Sequence, residues 1–206
     1  MVEALIIVRN AKVNMKKIIG ITGGISCGKS SVTNIIKELG FTIIDCDKIS
    51  YELTLKGNSI YNEILRVFGI DYLNNNQEID RKKLGQLVFN NKDAKEKLNS
   101  ISHPLIIEEL KRQIGLNNGI IFLEIPLLFE TKLEYLCDVI ICVYVDKETQ
   151  IIRLMNRDNI DREFAIKKIN SQMDLSVKKE LSDYVIYNDK ELNNTKEQII
   201  NIIKEL

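Results

Sequence analysis

The stretch Gly23-Gly24-Ile25-Ser26-Cys27-Gly28-Lys29-Ser30 constrains this chain more than any other segment. It matches G-x-x-x-x-G-K-[ST] and lies between an apolar run, Lys17 to Thr22, and a segment with apolar residues at Val32, Ile35, Ile36 and Leu39. The run reads as a buried strand and the segment as a helix over Ser30 to Leu39, with Gly40 where a helix ends. In that setting glycines let the backbone curl so that successive N–H groups point at phosphate oxygens. The helix start turns the positive end of its dipole toward the same charge. Lys29 adds a compact cation for the β- and γ-phosphates, and Ser30 offers a hydroxyl to Mg2+. The pattern predicts a nucleoside triphosphate site along Gly24, Ile25, Ser26, Cys27, Gly28, Lys29, Ser30 and Ser31. Cys27 is expected to contribute its backbone rather than a reactive thiol.

Phe41 to Ile44 reads as a second strand, stopped by Asp45-Cys46-Asp47, and completes a βαβ unit with a right-handed crossover. Amphipathic stretches then dominate: Ile60 to Phe68, Arg81 to Phe89 and Ala94 to Gln113. Gly119 to Ile125 and Asp138 to Val145 are continuous apolar runs, the pattern of parallel strands covered on both faces. Thr149 to Leu181 is helical and charged, Tyr184 to Tyr187 is a short last strand, and Lys196 to Leu206 a closing helix. The fold class expected is α/β: a five-stranded parallel sheet with helices on both faces. A single domain over 15–206 is expected, with its core in 15–47, 119–148 and 182–206 and helical insertions at 48–118 and 149–181. Residues 1–14 sit oddly before Met15 and are read as a dispensable extension, the alternative being an edge strand at Ala4 to Val8.

Charge narrows the partners. Lys plus Arg and Asp plus Glu are both 29, so the formal net charge is zero and no broad basic face for nucleic acid is expected. Cys27, Cys46, Cys137 and Cys142 form no C-x-x-C pair and no zinc spacing with the single His103. The apolar runs fall far short of the roughly 20 residues that span a bilayer. No secretory leader is evident, so a cytoplasmic protein is expected, with no membrane and no obligate protein partner.

Asp45 and Asp47 follow the second strand at its carboxyl end, where open α/β sheets bind ligands. A carboxylate there can accept a proton from an acceptor hydroxyl, while the competing reading is a pair of helix N-caps. Asp146 is expected to cap a helix starting near Glu148, and Glu130 to do no more than cap a helix. Glu124 could reach metal-bound water, but neither it nor Glu130 is placed in the catalytic set. A GTPase reading fails because Asn91-Lys92-Asp93-Ala94 has its acid one position early for base recognition.

These elements resemble the dephospho-CoA kinase family, which reads L-T-G-G-I-G-S-G-K-S and D-A-D at this spacing. The likeness continues through Arg81-Lys82-Lys83-Leu84, His103-Pro104, Pro126-Leu127-Leu128-Phe129-Glu130, Gln150, Arg153, Arg157, Gln172, and Asp183 to Ile186 with Asn188. It covers 17–206. The resemblance implies a three-layer P-loop kinase fold and ATP-dependent phosphorylation of the ribose 3′-hydroxyl of dephospho-CoA, with Mg2+ bound to Ser30 alongside ATP. By the same carry-over Asp47 is the general base and Asp45 positions the acceptor or holds water around the metal. Arg153 and Arg157 come from a lid at 149–181, and Asn188 lies near the adenine. Arg81, His103 and Leu127 contribute to the acceptor side. Without the resemblance, His103 before a proline reads as a helix-boundary residue. The family's third loop glycine is Ser26 here, which restricts φ, and Cys46 replaces its usual alanine. Two other readings stay open from the residues: a nucleoside or nucleotide kinase with another acceptor, and a nucleotide-dependent switch that needs no acceptor.

Overall fold

The computed structural model describes residues 16–206. The expectations for 1–14 lie outside them. Strands β1 Lys17–Gly23, β2 Thr42–Asp45, β3 Ile120–Glu124, β4 Val139–Tyr144 and β5 Tyr184–Tyr187 form one sheet in the order β2-β3-β1-β4-β5. Every pairing between them is parallel. The helices are α1 Lys29–Glu38, α2 Cys46–Leu53, α3 Ser59–Phe68, α4 Arg81–Asn90, α5 Lys92–Leu116, α6 Lys147–Asp158, α7 Arg162–Asn170, α8 Leu175–Glu180 and α9 Leu192–Glu205.

Central strands read as unbroken apolar runs because both of their faces are covered. Ile19 and Ile21 of β1 pack into a core with Ile35 and Ile36 of α1 and Ile199 and Ile203 of α9. On the alternate face, Thr22 donates its hydroxyl to the Pro126 carbonyl, and α8 packs over β1 and β4. The chain leaves β1 toward β2 and leaves β4 toward β5, in opposite directions across the sheet. That reversal marks the carboxyl ends of β1 and β4 as the place where such sheets bind ligands.

By its contacts the chain divides into two compact units, one made of Cys46–Leu116 and the other of the residues up to Asp45 with Asn117–Leu206. The first holds α2 to α5 around Ile60, Tyr61, Ile64, Ile79 and Leu84. Here the structure corrects one expectation: His103 is not at a helix boundary. It lies inside α5, which runs through Pro104. The proline removes one backbone donor, but Leu98, Ile101, Leu105 and Ile106 pack on the cluster from both sides of it and keep the helix continuous.

In the sheet-bearing unit, the stretch from Thr149 to Leu181 resolves into three helices. Asp146 caps α6 by accepting from the Thr149 amide at 2.9 Å, and Asp161 caps α7 from the Phe164 amide at 2.8 Å.

Candidate active site

The loop between β1 and α1 places Lys29 and Ser30 at the first two positions of the helix, where backbone amides have no intrahelical acceptor. Gly28 precedes them at φ 87°, and a Cβ there would overlap the Asn188 side-chain amide. That amide donates to the Cys27 carbonyl at 3.0 Å, so the loop closes only because residue 28 has no side chain. Gly24 is under a similar constraint, since a Cβ would overlap Nε2 of Gln150. The Lys29 ammonium turns back to the Gly23 and Gly24 carbonyls, at 3.2 and 3.1 Å.

Ser26 adopts φ 58°, the left-handed region, and its hydroxyl is buried without a hydrogen-bond partner. Cys27 is fully buried, and burial pushes its thiol above the usual value despite the nearby Lys29 charge.

Side chains from beyond β4 hold the loop. Ile25 donates its N–H to Oε1 of Gln172 at 3.1 Å, and its carbonyl accepts from Nε2 of the buried Gln150 at 2.7 Å. Arg153, one turn of α6 after Gln150, donates to the Asn188 carbonyl at 2.9 Å. Asn188 itself is buried, and its Oδ1 accepts from the Thr195 hydroxyl at 3.0 Å.

The carboxylates lie at the strand ends. Asp45, the last residue of β2, is in register with Glu124, the last of β3. Burial raises the Glu124 carboxyl above its ordinary value; a hydrogen bond with Thr33 opposes this, the Asp45 charge adds to it, and the Lys29 charge opposes it. Ser30 and Glu124 offer hard oxygen donors, the kind Mg2+ takes. Among the described residues no group of three or more His, Cys, Asp or Glu is arranged to hold a metal.

In the helical unit, Asp47 stands in the first turn of α2, at its second residue rather than at its cap. A cavity of about 230 Å³ within that unit is lined by Ile60, Ile64, Leu84 and Val88, with Thr54 and Arg81 among its polar groups. Arg81 bonds to the Thr54 hydroxyl and lies over the Tyr51 ring, 4.5 Å from its centroid.

A family model described as dephospho-CoA kinase matches residues 17–194. The chain belongs to the dephospho-CoA kinase family. A dephospho-CoA kinase of Carboxydothermus hydrogenoformans is 43% identical over 192 residues, covering 91% of this chain and 93% of that protein. The structure of dephospho-CoA kinase from Campylobacter jejuni is similar at TM-score 0.63 and 34% identity, covering 93% and 97% of the two chains. That of TT1252 from Thermus thermophilus reaches TM-score 0.82 at 27% identity, covering 93% and 98%.

For this kinase family member, the residues singled out in the sequence fall into two groups. Gly24 to Ser31, Arg153, Asn188, Asp45 and Leu127 are in the sheet-bearing unit; Asp47, Arg81 and His103 are in the helical one. Arg153 lies beside the loop, while Arg157 is exposed and pairs with Asp158 at 2.8 Å. Arg157 and Lys168 together hold the Asp158 carboxyl down at about 2. Leu127 is exposed on the segment after β3. Glu130 does not cap a helix: it pairs with the fully buried Lys178 at 2.8 Å and accepts from the Met173 amide at 3.0 Å.

Lys178, Thr33 and Thr195 escaped sequence reasoning, as did the hold of Gln150 and Gln172 on Ile25. A lysine in the charged run Val177 to Glu180 gives no sign of burial.

Proposed function

We propose that this chain transfers the γ-phosphoryl group of ATP to the ribose 3′-hydroxyl of dephospho-CoA, giving coenzyme A and ADP, the last step of coenzyme A synthesis. The family match over 17–194, joined to a phosphate loop with Lys29 and Ser30 at a helix start, carries the reading. ATP phosphates take the amides at the start of α1, and Lys29 leaves the Gly23 and Gly24 carbonyls for the β- and γ-phosphates. The Ser30 hydroxyl would hold the Mg2+ bound with ATP, which would supply charge neutralisation on the phosphates.

Asp47 is the general base. It accepts the 3′-hydroxyl proton as the ribose oxygen bonds to the γ-phosphorus and the bond to the ADP oxygen breaks. Its place in the chain, two residues after Asp45 at the end of β2, supports this role, and Asp45 helps orient the acceptor. Arg153, already beside Gly28, neutralises charge on the transferred group. Arg157 assists from the same helix after exchanging its Asp158 partner for nucleotide. Asn188 sits on the adenine side of the loop.

The acceptor side comprises Arg81, His103 and Leu127, and the cavity beside Arg81 suits an elongated, partly apolar acceptor. The chain works as one kinase domain, with 48–118 binding the acceptor and 149–181 acting as a lid. Among the described residues no helix is long and apolar enough to cross a membrane. The reaction calls for two small molecules and no nucleic acid, membrane or protein partner, in the cytoplasm.

The test is ADP release in the presence of Mg-ATP with dephospho-CoA, adenosine, AMP or no acceptor. Release that depends on dephospho-CoA is expected. Equal release without any acceptor would point instead to a nucleotide-hydrolysing switch.

A further inference from the structure

Lys178 is a charged side chain with no exposure to solvent. Its ammonium donates to the Pro126 carbonyl at 2.9 Å and pairs with Oε1 of Glu130 at 2.8 Å. The same Pro126 carbonyl accepts from Thr22, two residues before the phosphate loop begins to curl. Glu130 Oε1 also accepts from the Met173 amide, and the residue before Met173 is Gln172, whose side chain takes the N–H of Ile25. A continuous set of contacts thus runs from beneath β1, through Lys178 and Glu130, to the backbone of the phosphate loop.

Stability does not explain the pair. A buried ion pair recovers its desolvation cost only with good geometry and full hydrogen bonding, and an apolar pair of similar volume often does as well. Here the second Glu130 oxygen, Oε2, is buried with no partner, so the pair is incompletely satisfied. What the pair supplies is direction. Oε1 stands between the ammonium and the Met173 amide, and so fixes the turn between α7 and α8 that presents Gln172. Gln172 and Gln150 then hold both main-chain groups of Ile25 and set the path of the loop before Ser26.

We propose that Lys178 and Glu130 are positioning residues for nucleotide binding, acting through the Gln172 contact with Ile25. The inference rests on the reading of the loop as an ATP site. It adds a set of residues that determines how well the loop is preformed before nucleotide arrives, and therefore affinity for nucleotide rather than for acceptor.

The test measures direct binding of a fluorescent ADP analogue, with KM for ATP and for dephospho-CoA, in Gln172→Ala, Glu130→Gln and their double variant. Gln172→Ala is expected to weaken nucleotide binding about tenfold, the scale of one lost hydrogen bond to a preorganised loop. KM for dephospho-CoA should change less than about twofold and kcat at saturation less than about threefold. Glu130→Gln should weaken nucleotide binding severalfold, and the double variant should be no weaker than Gln172→Ala alone, because both act through one contact.

Wild-type affinity in Gln172→Ala, or additive losses in the double variant, would overturn the proposal. Should Glu130→Gln fail to fold, Lys178→Met/Glu130→Met removes both charges at similar volume. A folded pair variant with weakened nucleotide binding supports the positioning role, and wild-type affinity in it overturns that role. Failure of both to fold would make the pair a requirement of the fold and overturn it as well. A wild-type protein that bound no nucleotide would remove the ATP reading itself, a result distinct from any of these.

Discussion

In the proposed reaction Lys29 and Asp47 have different parts, and substitution separates them. The Lys29 ammonium is held by two loop carbonyls, and the proposed reaction has phosphate replace them, so Lys29→Ala should cripple transfer while circular dichroism stays that of the folded protein. Unchanged kinetics in that variant would mean the loop does not hold ATP. Asp47→Asn keeps the shape of the side chain but not its basicity. It is expected to bind nucleotide normally and to lose on the order of 10²- to 10⁴-fold in kcat. Near-normal turnover would remove Asp47 as base.

Glu124 offers a prediction in pH. Burial raises its carboxyl in the folded state, so the fold binds its proton more tightly than the unfolded chain does. Below the ordinary carboxylate value both states hold the proton and no charge is buried; as pH rises through the raised folded value, that stability is lost. Glu124→Gln removes the titration. Its Tm should match that of wild type near about pH 4 and exceed it at about pH 8, within the ordinary range of carboxylate titration. An equal gap at both pH values, read by calorimetry, would contradict burial as the cause.

Among the elements, those with a local code were legible in the sequence. β1 and α1 could be read because the glycine pattern, the apolar run and the helical spacing agree over one short stretch. Asp146 was legible as a cap because capping is a contact between near neighbours, and it accepts from Thr149 as expected. Asp146→Ala should lower Tm by roughly 2–4 °C, measurable by calorimetry. An unchanged Tm would deny the cap.

What was not legible depends on long-range packing. His103 reads as a boundary residue before proline, yet α5 continues because its apolar residues pack on both sides of Pro104. Glu130 reads as a cap because its partner Lys178 comes close only once β3, β4 and α8 assemble. In the candidate site, the phosphate loop and the D-x-D pair stand out by spacing. The glutamines that hold Ile25 do not, since a glutamine in a helix carries no sequence mark of what it touches.

For the molecule as a whole, zero net charge, a parallel sheet whose strand order reverses at β1 and β4, and a helical unit agree with an enzyme that transfers a group between two small molecules. The central claim is the identity of the acceptor and of the atom phosphorylated. The most direct measurement is the mass and phosphorus NMR of the product formed from Mg-ATP and dephospho-CoA. A gain of one phosphoryl group on the ribose 3′ oxygen is the predicted result. Unmodified dephospho-CoA beside intact ATP binding would contradict the acceptor assignment and leave a P-loop kinase of a different substrate.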